Sequence, residues 1–347
     1  MQNNGFYFFN RCFIMFFFKF TAIKYELIRM MKKSIVILIF LVIITSGIHA
    51  QITGLDIKVE KREMLKDVVS ATGFLELNGE YFVVGDDSPW LYKLSKKFKI
   101  KKKYLIFPSG RKFDVIPEAM KPDFEAVAHY HKGELEYLLI FGSGLKSPQR
   151  DVLVKFKYGK ETEAELFSMK DFYAAMRKVA GLQNDELNIA GAVISGNILF
   201  LLEHNNNLIF VFKMKEIEKY FENFKDCPLP DMFKMKLPET EGVNVGFSGA
   251  TATADGNKIL FTASLNGDNV HHANGSFVGL FNVLNLKNEL EPLCVPVKND
   301  GKLIEINAES VVVTKQHKNT LNLTIIGSND SGLPEVLQLE AGFLFKK

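Results

Sequence analysis

A fivefold internal repeat constrains this chain more than any other feature. The segments Ala71-Thr72-Gly73-Phe74, Phe124-Glu125-Ala126-Val127, Ile189-Ala190-Gly191-Ala192, Phe247-Ser248-Gly249-Ala250 and Ala308-Glu309-Ser310-Val311 align with one another. In each, a variable residue is followed by a small one, at spacings of 53, 65, 58 and 61 residues. A turn and a strongly apolar run come next, at 81–84, 137–141, 198–202, 259–262 and 323–326. A loop rich in Gly, Ser, Asn and Asp then leads into a third run, at 91–94, 152–156, 208–212, 277–281 and 336–339. A weaker fourth run follows in four copies, for instance 103–107 and 164–167.

β-rich runs separated by turn residues form hairpins, and a four-strand unit repeated along a chain is the pattern of a propeller. The predicted fold is therefore all-β: a five-bladed β-propeller with four antiparallel strands per blade. The fifth copy runs out of chain before a fourth strand, whereas the run 55–59 precedes the first copy and belongs to no blade. That N-terminal strand is expected to complete the last blade and close the ring, which removes the open sheet edges. Two inserts, 169–180 and 215–224, carry apolar residues at helical spacing (Phe172, Met176 and Val179 in the first) and are expected to pack on the rim.

The N-terminal end has a different character. Arg29, Lys32 and Lys33 precede the aliphatic stretch 34–47, and Ala50 marks the expected cut. This is the pattern of a secretory signal peptide; the stretch is shorter than the roughly 20 residues that span a bilayer. Residues 1–50 are thus read as leader and signal, with 1–29 outside the usual signal pattern and translation expected to start at Met30 or Met31. Residues 51–347 are read as a single propeller domain, exported to a periplasm or beyond and free of the membrane after cleavage.

Removing the leader takes six cations and one anion with it, leaving 37 basic against 39 acidic side chains. The basic isoelectric point belongs to the leader, and nothing points to a nucleic-acid partner. Cys227 and Cys294 remain, a pair that export permits but does not require to be oxidised.

In a propeller the first strand of each blade lines the central channel. The loop entering that strand shares a face with the loop between strands two and three. Thr72, Glu125, Ala190, Ser248 and Glu309 would form a ring around the channel. Asp86, Asp87, Ser143, Lys146, Arg150, Glu203, His204, Asn205, Ser264, Asn266, Asp268, Asn329 and Asp330 would stand about it. Carboxylates and hydroxyls in a narrow channel suit a hard cation such as Ca²⁺, with Glu125, Glu309 and Ser248 as its ligands. Glu125 and Glu309 serve equally well as backbone caps, and the Asp86-Asp87 loop as a plain turn. Arg150 and Lys146 lie in a loop that could bind an anion, or Arg150 could pair with a local carboxylate. Adjacent His271 and His272 point to opposite faces of an extended chain and do not make a shared metal site. No Gly-x-Ser-x-Gly, phosphate-loop or His-Glu-x-x-His motif is present.

The elements Lys121-Pro122-Asp123-Phe124-Glu125-Ala126, Gly142-Ser143-Gly144 with Arg150-Asp151, Gly246-Phe247-Ser248-Gly249-Ala250-Thr251 and Gly85-Asp86-Asp87-Ser88 resemble those of uncharacterised exported bacterial propellers. More distantly, the chain is similar in plan to the esterase-like propellers related to phytases and to the calcium-activated nucleotidases. That resemblance implies a central metal held by Glu125, Glu309 and Ser248. Ala190 departs from it, standing where a glutamate would be expected.

Two functions follow as expectations. One is a Ca²⁺-dependent phosphoester hydrolase, in which Arg150 and Lys146 neutralise phosphate and Asp86 or Asp87 is the general base. The other is a non-catalytic propeller that binds a small molecule, peptide or glycan on the channel face. Convergence of acids and cations would favour the first, and a cleft lined by aromatics such as Trp90 and Tyr92 the second.

Overall fold

Phe82, Val83 and Val84 are consecutive and all buried, as are Leu199–Leu202 in the third copy and 259–261 in the fourth. An unbroken apolar strand is stable only where both faces are covered. Stacking one small sheet between two others provides that cover. The computed structural model describes residues 52–108, 115–240, 242–265, 275–329 and 331–345, and Ile52–Leu344 forms one compact unit.

Among the described residues its strands make five antiparallel blade sheets and one two-stranded hairpin. The N-terminal strand β1 (Ile52–Met64) is used last. Blade one is β2 (Ala71–Leu77), β3 (Glu80–Gly85), β4 (Trp90–Leu94) and β5 (Ile100–Leu105). Blade two is β6 (Phe124–Lys132), β7 (Leu135–Gly142), β8 (Val152–Tyr158) and β9 (Glu163–Ser168), followed by helix α1 (Lys170–Ala180). Blade three is β10 (Ile189–Ser195), β11 (Ile198–Glu203) and β12 (Leu208–Lys213), then helix α2 (Met214–Asn223) and β13 (Asp231–Lys234).

Blade four adds a short leading strand, β14 (Glu239–Thr240), to β15 (Val243–Ala252), β16 (Lys258–Leu265), β17 (Ser276–Asn282) and β18 (Leu293–Pro296). A small hairpin, β19 (Lys298–Asn299) with β20 (Lys302–Leu303), leads to blade five. There β21 (Asn307–Gln316), β22 (Thr320–Ser328) and β23 (Pro334–Phe345) are completed by β1, in the order β1-β23-β22-β21. The N-terminal strand therefore closes the last blade, and the inner strands β2, β6, β10, β15 and β21 touch one another in cyclic order. The fold is the predicted five-bladed all-β propeller.

One irregularity recurs in every blade. The pairing of the inner strand with its neighbour skips a residue at Glu125, Ala190, Ser248 and Glu309, and skips Thr72 and Gly73 together in blade one. These are bulges at the five aligned positions, and a bulge re-aims the residue it leaves unpaired. The small residue that follows has a steric reason: a Cβ on Gly249 would lie 2.5 Å from Ser310 Cα and 2.8 Å from Glu309 O. The inner strands of adjacent blades approach that closely.

The helices pack as rim elements, with Phe172, Met176, Ile217 and Tyr220 in one core cluster between blades two and three. Val179, expected on the buried stripe, is instead exposed at the last turn of α1. Tyr92 is buried in the core of blade one, and Trp90 packs against the same cluster. Cys227 and Cys294 are free thiols. Among the described residues, no helix is long and apolar enough to cross a membrane.

Candidate functional site

At the channel mouth lies a cavity of ≈ 530 Å³. Glu125, Ala190, Ser248 and Glu309 line it from four consecutive inner strands. Asn188, Asn244 and Asn307, the loop residues His204 and Asn205, and Ser264 near the end of β16 complete most of its wall. Four of the five predicted ring positions thus meet at one cavity. Thr72 does not join them: its hydroxyl donates to the Phe124 carbonyl of the next blade at 2.5 Å.

The two glutamates are half-buried against the cavity. Burial, followed by the neighbouring Asp123, Glu309 and Asp86 carboxylates, pushes Glu125 well above the usual carboxylate range. Burial raises Glu309 to about 7, against the hydrogen bond that Ser328 Oγ donates to it at 3.1 Å. No Lys or Arg lines this cavity among the described residues. Ser248 is only 4 % exposed and its Oγ has no partner; Asn307 Oδ1 is likewise buried and unpartnered.

Beside Glu125 stand Asp86 and Asp123, and one carboxylate oxygen from each of the three lies within 4.8 Å of the others. Asp123 sits at φ 59°, a left-handed conformation that Asp tolerates better than most residues. It accepts from Ser143 Oγ at 2.6 Å and pairs with Arg150 and with Lys121, the latter at 3.1 Å. Lys121 also pairs with Asp86. Burial raises the Asp86 carboxyl while the Lys121 ammonium opposes the rise, and Asp86 Oδ1 and Asp87 Oδ1 are buried without partners.

Arg150 and Lys146 are placed away from the cavity wall. Arg150 is 5 % exposed, held between Asp123 and Glu118, and Lys146 pairs with the same Glu118 at 2.6 Å. Their loop is anchored from behind by Arg177 of α1, which reaches both Asp151 oxygens, at 2.5 and 3.0 Å, and the Gly144 carbonyl at 2.6 Å.

Glu203 is fully buried and accepts from the backbone amides of Asn188, Asn205 and Asn206 at 3.4, 2.9 and 2.8 Å. It fixes the loop that carries His204 and Asn205. His204 Nδ1 lies 2.7 Å from the Phe247 carbonyl. Asn329 bonds Glu335 and its own loop, apart from the cavity. Asn266, Asp268, His271, His272 and Asp330 lie outside the described residues.

Acids therefore converge with two cations, Lys121 and Arg150. Those cations compensate Asp86 and Asp123 and do not face the cavity. Among the described residues no Phe, Tyr or Trp lines the cavity, and Trp90 and Tyr92 belong to the core of blade one. The site residues that sequence reasoning passed over include Asn244 of the cavity wall and Asp123, Asn188 and Asn307, the last three each two positions before an aligned ring residue. The same offset recurs in three copies of the repeat, so it was a readable signal in the alignment.

Several solved structures are similar to this chain. The glutaminyl cyclase of Myxococcus xanthus is similar at 11% identity over 85% of this chain and 100% of its own, with a TM-score of 0.49. The α-L-arabinanase of Cellvibrio cellulosa is similar at 8% identity over 79% and 91%, with a TM-score of 0.44. A putative exported protein of Bacteroides fragilis is similar at 9% identity over 86% and 97%, with a TM-score of 0.37. A search of curated proteins finds no match. Residues 67–340 match the model of a family of unknown function (DUF6929), and the chain belongs to that family.

Proposed function

We propose that the protein is a Ca²⁺-binding propeller that uses the ion at its channel mouth to hold a polar ligand. One observation carries this reading. The cavity wall combines two carboxylates, Glu125 and Glu309, with an unpartnered buried hydroxyl on Ser248 and an unpartnered amide oxygen on Asn307, and holds no fixed cation. Oxygen-only donors of mixed charge are the set that a hard cation prefers.

The acids beside that wall have the spacing of a cation site. Oxygens around one Ca²⁺ at 2.3–2.6 Å are at most about 5 Å apart, and Asp86, Asp123 and Glu125 meet that limit. Lys121 and Arg150 already compensate Asp86 and Asp123, so Glu125 is the acid of the three turned to the cavity, and it would share the ion with Glu309 and Ser248. Bound there, the ion would polarise an oxygen of the ligand and offset the negative wall.

Hydrolysis of a phosphoester is the second reading, and Asp86 favours it. Its unpartnered oxygen and raised pKa suit a proton acceptor. Against it, Arg150 and Lys146 spend their charge on Asp123 and Glu118.

Calorimetric titration of Ca²⁺ into the chelator-stripped mature protein tests the first reading. Stoichiometric binding that is lost in the Glu125→Gln, Glu309→Gln double variant is expected. Absence of binding in the unaltered protein would overturn it.

A further inference from the structure

Six of the eight residues from Lys96 to Lys103 are lysines, and all six are exposed. Lys96, Lys97 and Lys99 occupy the turn between β4 and β5, and Lys101, Lys102 and Lys103 lie on β5, the outer strand of blade one. Little answers their charge. Glu80 pairs with Lys101 at 3.0 Å, but the same carboxylate also pairs with Lys93. Glu76 of β2 turns its carboxylate to the Gly79 amide at 2.6 Å. Lys96, Lys97, Lys99, Lys102 and Lys103 have no carboxylate partner among the described residues.

Protection of a sheet edge does not account for this excess. Lysine on an outer strand discourages pairing with another chain, but a bulge already does so here, since the register of β4 with β5 skips Lys101. The other outer strands are built differently. On β1, Lys58 pairs with Glu60 and Lys61 with Glu63. Strand β9 bears Glu163 and Glu165, β13 has Asp231 and Lys234, and β18 has no charged residue. Residues 51–347 carry 37 basic against 39 acidic side chains, so the ridge is a local segregation of charge and not a sample of a basic protein.

Its shape selects the partner. None of the six lysines lines the channel-mouth cavity, and a turn continued by an outer strand makes a convex ridge. Compact anions are held by converging donors, arginine forks above all, and the ridge has no arginine. Nucleic-acid bases would need exposed aromatic platforms, whereas Tyr92, Phe98 and Tyr104 are buried. Lys102 stands over the Tyr104 ring at 4.7 Å and Lys103 over the Tyr92 ring at 5.1 Å. Adjacent residues of a strand point to opposite faces, so a polymer chain lying along one face misses the charge on the other. A plane laid against the edge is within reach of the flexible lysine stems on both faces. Laterally mobile lipid headgroups can also gather under ammonium groups that are irregularly spaced.

We infer that the outer edge of blade one is a docking surface for a bilayer rich in anionic phospholipid, held by charge and without insertion. No large apolar side chain between residues 71 and 107 is exposed to insert. This surface is independent of the Ca²⁺ site.

The test is co-sedimentation of chelator-stripped mature protein with vesicles of phosphatidylglycerol and phosphatidylcholine at graded ratios, in low and in high salt. Binding is expected to rise with the phosphatidylglycerol fraction and to fall in high salt. Each lysine near an anionic leaflet multiplies affinity about fivefold, so the Lys96→Gln, Lys97→Gln, Lys99→Gln triple variant should bind about a hundredfold more weakly. These three side chains make no hydrogen bond or ion pair among the described residues, so the variant tests the ridge and not the fold. The Lys58→Gln, Lys61→Gln, Lys213→Gln variant removes the same charge from exposed lysines that pair with neighbouring glutamates, and should bind as the unaltered protein does. No sedimentation with phosphatidylglycerol vesicles in low salt overturns the proposal, as does equal weakening by both triple variants. Retention on a sulfated polysaccharide without binding to vesicles overturns the partner class.

Discussion

Arg150 donates to the carboxylate of Asp123 with both side chains almost wholly buried, at 6 % and 8 % exposure. The pair ties the loop between the second and third strands of blade two to the residue two places ahead of Glu125. Ser143 Oγ adds a second bond to the same Asp123 oxygen at 2.6 Å. This loop therefore positions an acid of the channel mouth, while its arginine contributes no free charge to the cavity.

Arg150→Ala is expected to destabilise the fold by about 3–5 kcal/mol, because removing one partner of a buried pair leaves the other charge uncompensated. Urea unfolding measures the loss. The Arg150→Ala, Asp123→Asn double variant should recover part of it, since the stranded charge is gone.

Gly249→Val is expected to lower stability by at least about 1–3 kcal/mol, the usual cost of forcing extra bulk into a closed packing. The added Cβ would meet the backbone of the next blade at Ser310 Cα and Glu309 O. Backbone cannot swing aside as a flexible side chain can. Thermal unfolding of this variant beside Gly301→Ala makes the comparison, because nothing lies within 4 Å of a Cβ at Gly301 and the cost there is confined to its positive φ.

Stability should carry a pH dependence from Glu203. Burial raises this carboxyl from 4.5 to about 7, although backbone amides donate to it. Between those values the folded state binds more protons than the unfolded one. The contribution is complete below about 4.5 and is lost as pH rises through about 7, a change of about 3 kcal/mol. Denaturant midpoints measured across that window should fall with pH less steeply in Glu203→Gln than in the unaltered protein.

Adding Ca²⁺ should raise the thermal midpoint of chelator-stripped protein. An ion that binds the folded state alone stabilises it by about 2.7 kcal/mol at a hundredfold excess over its dissociation constant. Differential scanning calorimetry in Ca²⁺ and in chelator reads the shift. The Glu125→Gln, Glu309→Gln variant should show none of it.

The repeat was legible because blade packing acts on every copy alike. Each second strand must be apolar on both faces, and each inner strand needs a small residue where the next blade comes close, as at Gly249. The bulge positions were legible for the same reason: Glu125, Ala190, Ser248 and Glu309 stand at one place in one motif. Asp123, Asn188 and Asn307 were within reach of the same alignment, two residues upstream. The partners of Arg150 were not, because Glu118 and Asp123 reach it only when a loop folds back across the blade.

The sequence by itself determined the five blades, the strand that closes them and the ring of inner positions, since these follow from periodic burial and from short-range turn chemistry. Tertiary structure alone decided which polar groups face the cavity and which are spent on one another. Arg150 and Lys146 read in sequence as a loop open to an anion or to local pairing, and Lys121 carried no such reading. Their charges are consumed by Asp86, Asp123 and Glu118, whereas Glu125 and Glu309 meet no fixed cation in the cavity wall. Charge pairing depends on distances of a few ångströms between residues far apart in the chain, which no local pattern encodes.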